Sequence, residues 1–370
     1  MFRILLPVAA LGFVALGFAI QPALASGKLP KPDRVPEAPS SEQAALVREG
    51  LALHDRRNFE GAIAKYKQVL AQNPWEVTAL HELAAAYFES KDYQHALDTA
   101  RLGAQCRSEN LAGFYSTIGN ALDELGRGSE AIDTYRAAIK LNPRMSLLYY
   151  DLAISLRRAG RLPEAKAAVQ RAIECNPDHA FSHALLGAIY QDMGYRIPAI
   201  LAYSRFLVLE PETARSPQIA TTTAGLLKQG VNKGAKPNEF TISISETSKN
   251  HKDEGDFTSA QMALCIVLAG NLVTKPEDAG EPPKSSYRKL VSLYASLGES
   301  LDNLQPKSGF AAAYYAPYFA ALATAEHTEA FAAYAWKAGN VDGASDWAPA
   351  NQAKIEAFLA WSKAYQWPEK

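Results

Sequence analysis

A period of 34 residues constrains the fold of this chain more than any other feature of its sequence. Pro143, Pro177 and Pro211 follow one another at this interval. Three further series keep the same step: Ala131, Ala165 and Ala199; Tyr135, Val169 and Tyr203; Gly119, Ala153 and Gly187. A fixed period with small, aromatic and proline positions in phase predicts a solenoid of stacked helical hairpins.

The residues within one period indicate two helices joined by a turn. Tyr149, Leu152 and Leu156 lie at i, i+3 and i+7 and predict one buried stripe on a first helix. Gly160 follows this helix, and Pro163 stands in the first turn of the next, where no amide hydrogen is needed. One hairpin cannot bury its stripe alone, so neighbouring hairpins must stack.

This pattern resembles the tetratricopeptide repeat. The resemblance covers five repeats over residues 42–211, with one inserted residue between Ala96 and Ala131. It implies an all-α solenoid, which needs a terminal element over its last apolar face. A capping helix is expected at 216–229, within a capping and linker segment 212–236.

The first 25 residues have the pattern of a cleavable signal peptide. Arg3 precedes an apolar run from Ile4 to Ile20, and Ala23-Leu24-Ala25 forms a small-x-small cleavage site. An uncleaved membrane anchor is the alternative, but the run is short and contains proline and glycine. Cleavage predicts a periplasmic or secreted protein without a membrane span. Residues 26–41 are rich in proline and predict an extended linker.

Residues 237–370 predict a C-terminal helical domain of five or six helices, and they resemble no family that we can name. Phe240, Ile242 and Ile244 alternate with polar residues, which favours a short strand before these helices. The uncharged run 309–325 predicts closely packed buried helices that Pro317 kinks or splits. Asp253, Glu254 and their polar neighbours predict a solvated loop.

The resemblance implies that the first helices line a concave groove able to hold an extended peptide or a helix. We expect the strongest partner contacts at His81, Phe88, Asn120, Asp123, Tyr150 and Arg157. The wider set of positions one step off the buried stripe comprises Val47, Leu51, His54, His81, Ala85, Phe88, Ser116, Asn120, Asp123, Tyr150, Ile154, Arg157, Ala184, Ala188 and Gln191. The family's lysine and asparagine grip on a terminal carboxylate is matched by Asn120 alone, so that specificity is not carried over.

Other function classes find little support in the sequence. A net charge of −1 gives no whole-chain attraction to nucleic acid. The chain has no phosphate-binding glycine loop and no catalytic motif of the nucleophile-elbow or zinc-protease type. His179 and His183 stand four residues apart, but the register predicts a core role for His183 rather than a metal site.

These observations predict a noncatalytic scaffold for a protein or peptide segment, with no cofactor. The alternative is an enzyme or small-ligand binder in residues 237–370, for which the repeats recruit substrate; an enclosed polar pocket there would favour it. A groove blocked by the C-terminal half is a third possibility. Cys106 and Cys175 fall in a core-facing slot two repeats apart and predict buried free thiols, and Cys265 has no assigned partner.

Overall fold

A computed structural model describes residues 29–236, 238–244, 253–273, 285–304 and 308–368. The predicted signal peptide, residues 1–25, lies outside the described residues. The chain divides into two compact units, Met1–Ala121 and Leu122–Lys370. This division lies within a helix of the third repeat. The domain limits inferred from the repeat register remain predictions.

Residues 41–209 form ten helices, as the period predicts. Their bounds are α1 Ser41–Asp55, α2 Phe59–Gln72, α3 Val77–Glu89, α4 Tyr93–Gly103, α5 Leu111–Glu124, α6 Gly128–Leu141, α7 Ser146–Arg158, α8 Leu162–Cys175, α9 Ala180–Asp192 and α10 Arg196–Leu209. Taken two by two, they are the first and second helices of five repeats. The prediction of an all-α helical repeat fold is confirmed.

The turn inside each repeat contains one residue with a positive φ angle. These residues are Arg57, Lys91, Gly126, Gly160 and Gly194, with φ between 59° and 80°. Their spacing repeats the 34-residue step and includes the single insertion that the sequence shows. The left-handed conformation ends the first helix and allows the chain to reverse direction into the second helix. Only three of the five turns use glycine, so the first two hold a side chain where glycine is favoured.

Small residues let the two helices of a repeat approach closely. Ala165 is fully buried in α8, as are its counterparts in the other second helices. A Cβ atom added to Gly187 would lie 2.6 Å from the ring of Tyr203, and one added to Gly50 would lie 2.4 Å from Tyr66. Tyr203 and Tyr66 occupy the aromatic slot of the period. The repeat register read from the sequence therefore corresponds to the packing.

The segment before the repeats is tied to the first unit. Arg34 donates its backbone N–H to the Gln105 carbonyl at 3.0 Å, and its own carbonyl accepts from the Arg107 N–H at 2.7 Å. The Arg34 guanidinium lies 3.8 Å from the centre of the Trp75 ring. This part of the predicted linker is therefore bound to two inter-repeat loops.

Helix α11 Ser216–Leu227 follows the repeats at the position expected for the cap, and it packs on α10. Two short strands, β1 Val231–Lys233 and β2 Phe240–Ile242, then pair antiparallel with Val231 opposite Ile242. The later helices are α12 Thr258–Leu272, α13 Ser286–Asp302, α14 Ala316–Thr324, α15 Thr328–Ala335, α16 Ala344–Ala350 and α17 Gln352–Ala364. A π-helical turn Ala311–Tyr315 precedes α14, and a 3-10 turn Lys337–Gly339 follows α15.

The second helix of repeat five is enclosed by elements from the C-terminal part of the chain. Every residue of α10 from Arg196 to Val208 is buried. Besides α9 and α11, this helix contacts α15 and the π-helical turn. The alanine- and tyrosine-rich run around Pro317 is largely buried as predicted, and Pro317 stands in the first turn of α14, where the π-helical turn changes to α-helix. In the described parts of the chain, no helix is long and apolar enough to cross a membrane.

Two expectations from the sequence are wrong. Cys175 is only half-buried because it is the last residue of α8, although Cys106 and Cys265 are fully buried; all three thiols are free. Glu254 is 2% exposed instead of solvated. Its burial is possible because donors from α8, α9 and the π-helical turn meet it.

Candidate partner-binding surface

Three of the six predicted contact residues lie in the first unit, and all three are half-buried. His81 packs edge-on against Phe114 with ring centres 5.5 Å apart, and its Nδ1 lies 3.2 Å from Glu82 Oε1. The Phe88 ring lies 5.4 Å from that of Tyr93. Asn120 also has interactions within the structure. His81 and Phe88 stand on α3, and Asn120 on α5.

The other three residues, Asp123, Tyr150 and Arg157, lie in the second unit. The common groove predicted for all six residues therefore stays a prediction, and each unit's group is described by itself. Asp123 accepts a hydrogen bond from Ser155 Oγ on α7. Burial raises the pKa of the Asp123 carboxyl, against the opposing effects of Ser155 and Arg158.

Tyr150 belongs to a cluster of rings and one cation. Its ring meets the His179 ring edge-on at 5.0 Å, and His179 meets Phe181 at 6.0 Å. The Arg215 guanidinium lies 4.5 Å from the centre of the Phe181 ring and close enough to the Tyr150 hydroxyl to influence its pKa. Burial raises the Tyr150 pKa although Arg215 opposes this, so the phenol stays neutral and can donate a hydrogen bond.

Arg157 already has a carboxylate partner. Its Nε donates to Asp192 Oδ2 at 2.7 Å, which joins α7 to the end of α9. Both side chains are 40% exposed, so this ion pair adds little to stability. Its role is positional. Together with the contact between Tyr150 and His179, it cross-links the two first helices near their opposite ends.

Between these two cross-links lies a surface that we call the α7–α9 wall, formed by Tyr150, Ile154, Ala184 and Ala188. All four side chains are half-buried. Tyr150 and Ala184 occupy the same position in successive repeats, as do Ile154 and Ala188. The wall is therefore apolar, with large side chains on one helix and small ones on the other.

Sequence reasoning missed three side chains that border this wall. Arg215 lies beyond the last repeat, as the residue before α11, so the period gives no signal for it. His179 and Phe181 lie at the start of α9, where the register suggests a turn. Phe181 occupies the same repeat position as Leu147, which is 44% exposed. This shared position is the one sequence signal that could have identified Phe181 as a surface residue.

A buried ionic cluster lies elsewhere in the second unit, around Glu254. Its carboxylate accepts from Lys166 Nζ at 2.7 Å, Gln170 Nε2 at 2.9 Å and the Tyr190 hydroxyl at 2.8 Å. It also accepts from the backbone N–H of Ala311 at 2.9 Å. The groups in this cluster pair with one another, which is the arrangement that buried charges need.

Lys166 also bonds Asp253, and the pair has a clear electrostatic consequence. Lys166 Nζ lies 2.5 Å from Asp253 Oδ2. Burial alone would raise the pKa of Asp253, but the ion pair with Lys166 and a hydrogen bond from Tyr195 outweigh it and lower the pKa. The carboxyl therefore stays charged at neutral pH.

The cavity beside this cluster is too small for a substrate. It has a volume of about 10 Å³ and is lined by Tyr195, Arg196, Glu254 and their neighbours. That space is about enough for one water molecule, whereas small-molecule sites occupy hundreds of cubic ångströms. A larger surface depression of about 330 Å³ next to Glu299 and Asp302 is lined by exposed carboxylates on α13.

His183 has the core role that the register predicts. It is fully buried, and its Nδ1 lies 2.7 Å from the Tyr315 hydroxyl and its Nε2 2.8 Å from the Pro177 carbonyl. Nε2 therefore carries the proton and donates to the carbonyl, while Nδ1 accepts from the phenol. Burial lowers the His183 pKa to about 3, so the ring is neutral. Within the described ranges, no group of three or more His, Cys, Asp or Glu residues is placed to hold a metal ion.

Comparison with known proteins gives matches in the repeat region. A tetratricopeptide repeat family profile matches residues 47–110 and 117–180. The Hsp70-Hsp90 organizing protein of Triticum aestivum is 33% identical over 93 residues, which are 25% of this chain and 16% of the relative. The small glutamine-rich tetratricopeptide repeat-containing protein 2 of Mycosarcoma maydis is 28% identical over 121 residues, 32% of this chain and 34% of that protein. The chain thus spans at most about a third of the length of these two relatives.

Solved structures of similar fold also match this region. A TPR protein of Thermus thermophilus has a TM-score of 0.43 at 20% identity over 50% of this chain and 98% of its own. The pilF protein of Pseudomonas aeruginosa has a TM-score of 0.44 at 21% identity, over 50% of this chain and 84% of its own.

Proposed function

Because this chain contains tetratricopeptide repeats, we propose that it is a noncatalytic scaffold that binds a protein segment on the first helices of its repeats. We further propose that it works after export, in the periplasm or outside the cell. The export proposal derives from the pattern of residues 1–25 alone. The binding proposal derives from the repeats and from the α7–α9 wall.

The observation that carries the binding proposal is the exposure of this wall. Other apolar residues of α7 and α9, such as Leu152 and Leu186, are buried against neighbouring helices. The wall residues are only partly buried although they are apolar or aromatic. Aromatic and arginine side chains dominate the energy of many interfaces; the wall contains Tyr150, and Phe181 and Arg215 border it.

The partial exposure of the wall residues argues against their being completely covered by the described parts of the C-terminal segment. The C-terminal part of the chain meets α9 through His183, which hydrogen-bonds to Tyr315 in the π-helical turn, and through Tyr190, which hydrogen-bonds to Glu254 before α12. Ala184 and Ala188 lie beside these contacts in sequence but are only partly buried. This arrangement favours an accessible surface over a self-blocked groove. It also supports a structural role for the C-terminal helices as a support for repeat five.

The relatives favour a protein partner without identifying it. One relative is named as an organizing protein for Hsp70 and Hsp90. The match covers a minor part of that protein, and the terminal-carboxylate grip is matched here by Asn120 alone. We therefore extend protein binding to this chain, and not the chaperone partners.

Affinity capture tests the proposal. The mature chain is immobilised, captured proteins are identified by mass spectrometry, and the capture is repeated with Tyr150→Ala/Ile154→Ala. We expect the double variant to lose its specific partner while helix content and melting stay close to wild type. The matched control is Leu141→Ala, which removes a 57% exposed aliphatic side chain from a second helix. Full capture by the folded double variant would contradict binding at this wall.

A further inference from the structure

We propose that the α7–α9 wall binds an amphipathic α-helix whose apolar stripe carries a neighbouring acidic side chain for Arg215. The inference builds on the proposed function and specifies the chemistry of the partner. It depends on three features of the wall: its shape, its lack of hydrogen-bonding side chains, and the charge next to it.

The shape of the wall is that of a trough. Ala184 and Ala188 lie one helical turn apart on α9, about 6 Å, and they present only methyl groups. Tyr150 and Ile154 rise beside them on α7 with the same spacing. Large aliphatic side chains that are one turn apart on a partner helix would fill the space over the two alanines.

The polar groups near the trough are already engaged. Arg157 pairs with Asp192, and Gln191 Oε1 accepts a hydrogen bond from Tyr203 at 3.1 Å. The trough itself offers only apolar side chains apart from the Tyr150 hydroxyl, which contacts Arg215. An extended peptide lying there would leave its backbone N–H and C=O groups without partners, and each such loss is costly. A helix satisfies its own backbone and needs no partners from the wall.

Arg215 supplies the charge preference. Its side chain is exposed, yet it is held over Phe181 and beside Tyr150. Among the residues that the structure describes, Arg215 has no carboxylate within ion-pair distance. A fixed guanidinium with free N–H donors at the edge of an apolar trough favours a carboxylate on the incoming helix.

A peptide-display selection tests this inference with a defined probe. A random library of 16-residue peptides is selected on the full mature chain, and the selected peptides are synthesised with amidated C-termini. We expect aliphatic residues spaced by three or four positions, an Asp or Glu on the flank of that stripe, and helical circular dichroism in the bound peptide.

Two variants probe the two features separately. Arg215→Gln should weaken binding of the acidic peptides about tenfold, the effect of losing one charge-assisted hydrogen-bonded pair. Lys228→Gln removes the same charge from the exposed end of the same helix and should leave binding unchanged. Ala188→Phe should fill the trough and abolish binding, with helix content confirming that the variant folds.

The outcomes separate this inference from the broader proposal. Selected peptides with alternating apolar residues, or peptides that bind only with a free C-terminal carboxylate, would overturn the helix inference while still supporting a protein-binding wall. Equal binding by Arg215→Gln and wild type would overturn the acidic preference. Peptides that bind Ala188→Phe and Tyr150→Ala/Ile154→Ala as well as wild type would refute both proposals at this surface.

Discussion

The buried carboxylate of Glu254 gives the sharpest test of the structure. We consider Glu254→Gln, which keeps the size of the side chain and removes its charge. Glu254 is 2% exposed and accepts four hydrogen bonds, one of them from Lys166, which is 8% exposed. In the variant, one accepting oxygen becomes an NH2 group that must face a donor.

The magnitude follows from these contacts. A hydrogen bond to a charged group contributes about 1.5–3 kcal/mol, and breaking one side of a buried ion pair costs about 3–5 kcal/mol. Lys166 keeps Asp253, whose side chain is 50% exposed and therefore compensates it weakly. We expect Glu254→Gln to lower the free energy of unfolding by roughly 3–5 kcal/mol.

Urea denaturation of the mature chain, followed by circular dichroism, measures this loss as a lower midpoint. The control is Glu299→Gln, an exposed carboxylate on α13 that should change stability by less than about 0.5 kcal/mol. The double variant Lys166→Met/Glu254→Gln should lose less than the sum of the single variants, because each single change leaves a buried partner unpaired. Equal urea midpoints for Glu254→Gln and Glu299→Gln would refute the stabilising role of the buried carboxylate.

Three further outcomes are expected. Gly187→Ala should destabilise the chain by about 1–3 kcal/mol because its new Cβ would lie 2.6 Å from the Tyr203 ring. The control Gly225→Ala in α11, where the added Cβ meets no neighbouring atom, should be neutral or stabilising. Equal denaturation midpoints for the two variants would contradict the repeat register. The folded-state pKa of His183, about 3, lies below its usual value of 6.5, so the unfolded chain binds the extra proton and stability should fall as pH drops from about 6.5 towards 3. The urea midpoint of a His183→Gln variant should therefore depend less on pH over that range. An unchanged pH dependence would count against a neutral buried ring. N-terminal sequencing of the exported protein should show that the mature chain begins near Ser26. An intact Met1 in the mature form would contradict the export proposal.

The sequence predicts the repeats well because their determinants are local and recur. The small residue at Ala165 and the turn at Gly160 act within one hairpin, and their counterparts recur at the same interval along the chain. The insertion before Ala131 was visible for the same reason, and it reappears as the 35-residue step between the positive-φ positions Lys91 and Gly126.

The candidate site was predicted only in part because its remaining members depend on tertiary contacts. Tyr150 follows from the helix face, but its neighbour Arg215 comes from a segment after the repeats that carries no period. Glu254 stands in a polar run that suggests solvent, and its burial depends on Lys166 and Gln170, more than 80 residues earlier. Such pairings have no signature in local composition.

The enclosure of α10 has a practical consequence for dissecting the protein. A fragment that stops at Pro211 would follow the repeat boundary in the sequence, but it would lack the later elements that enclose α10, a helix on which Ile197 and Leu201 are fully buried. Exposed apolar surface of this kind promotes aggregation. Studies of the isolated repeats therefore need either the later helices or polar replacements on α10, in the manner of the engineered end caps used for repeat arrays.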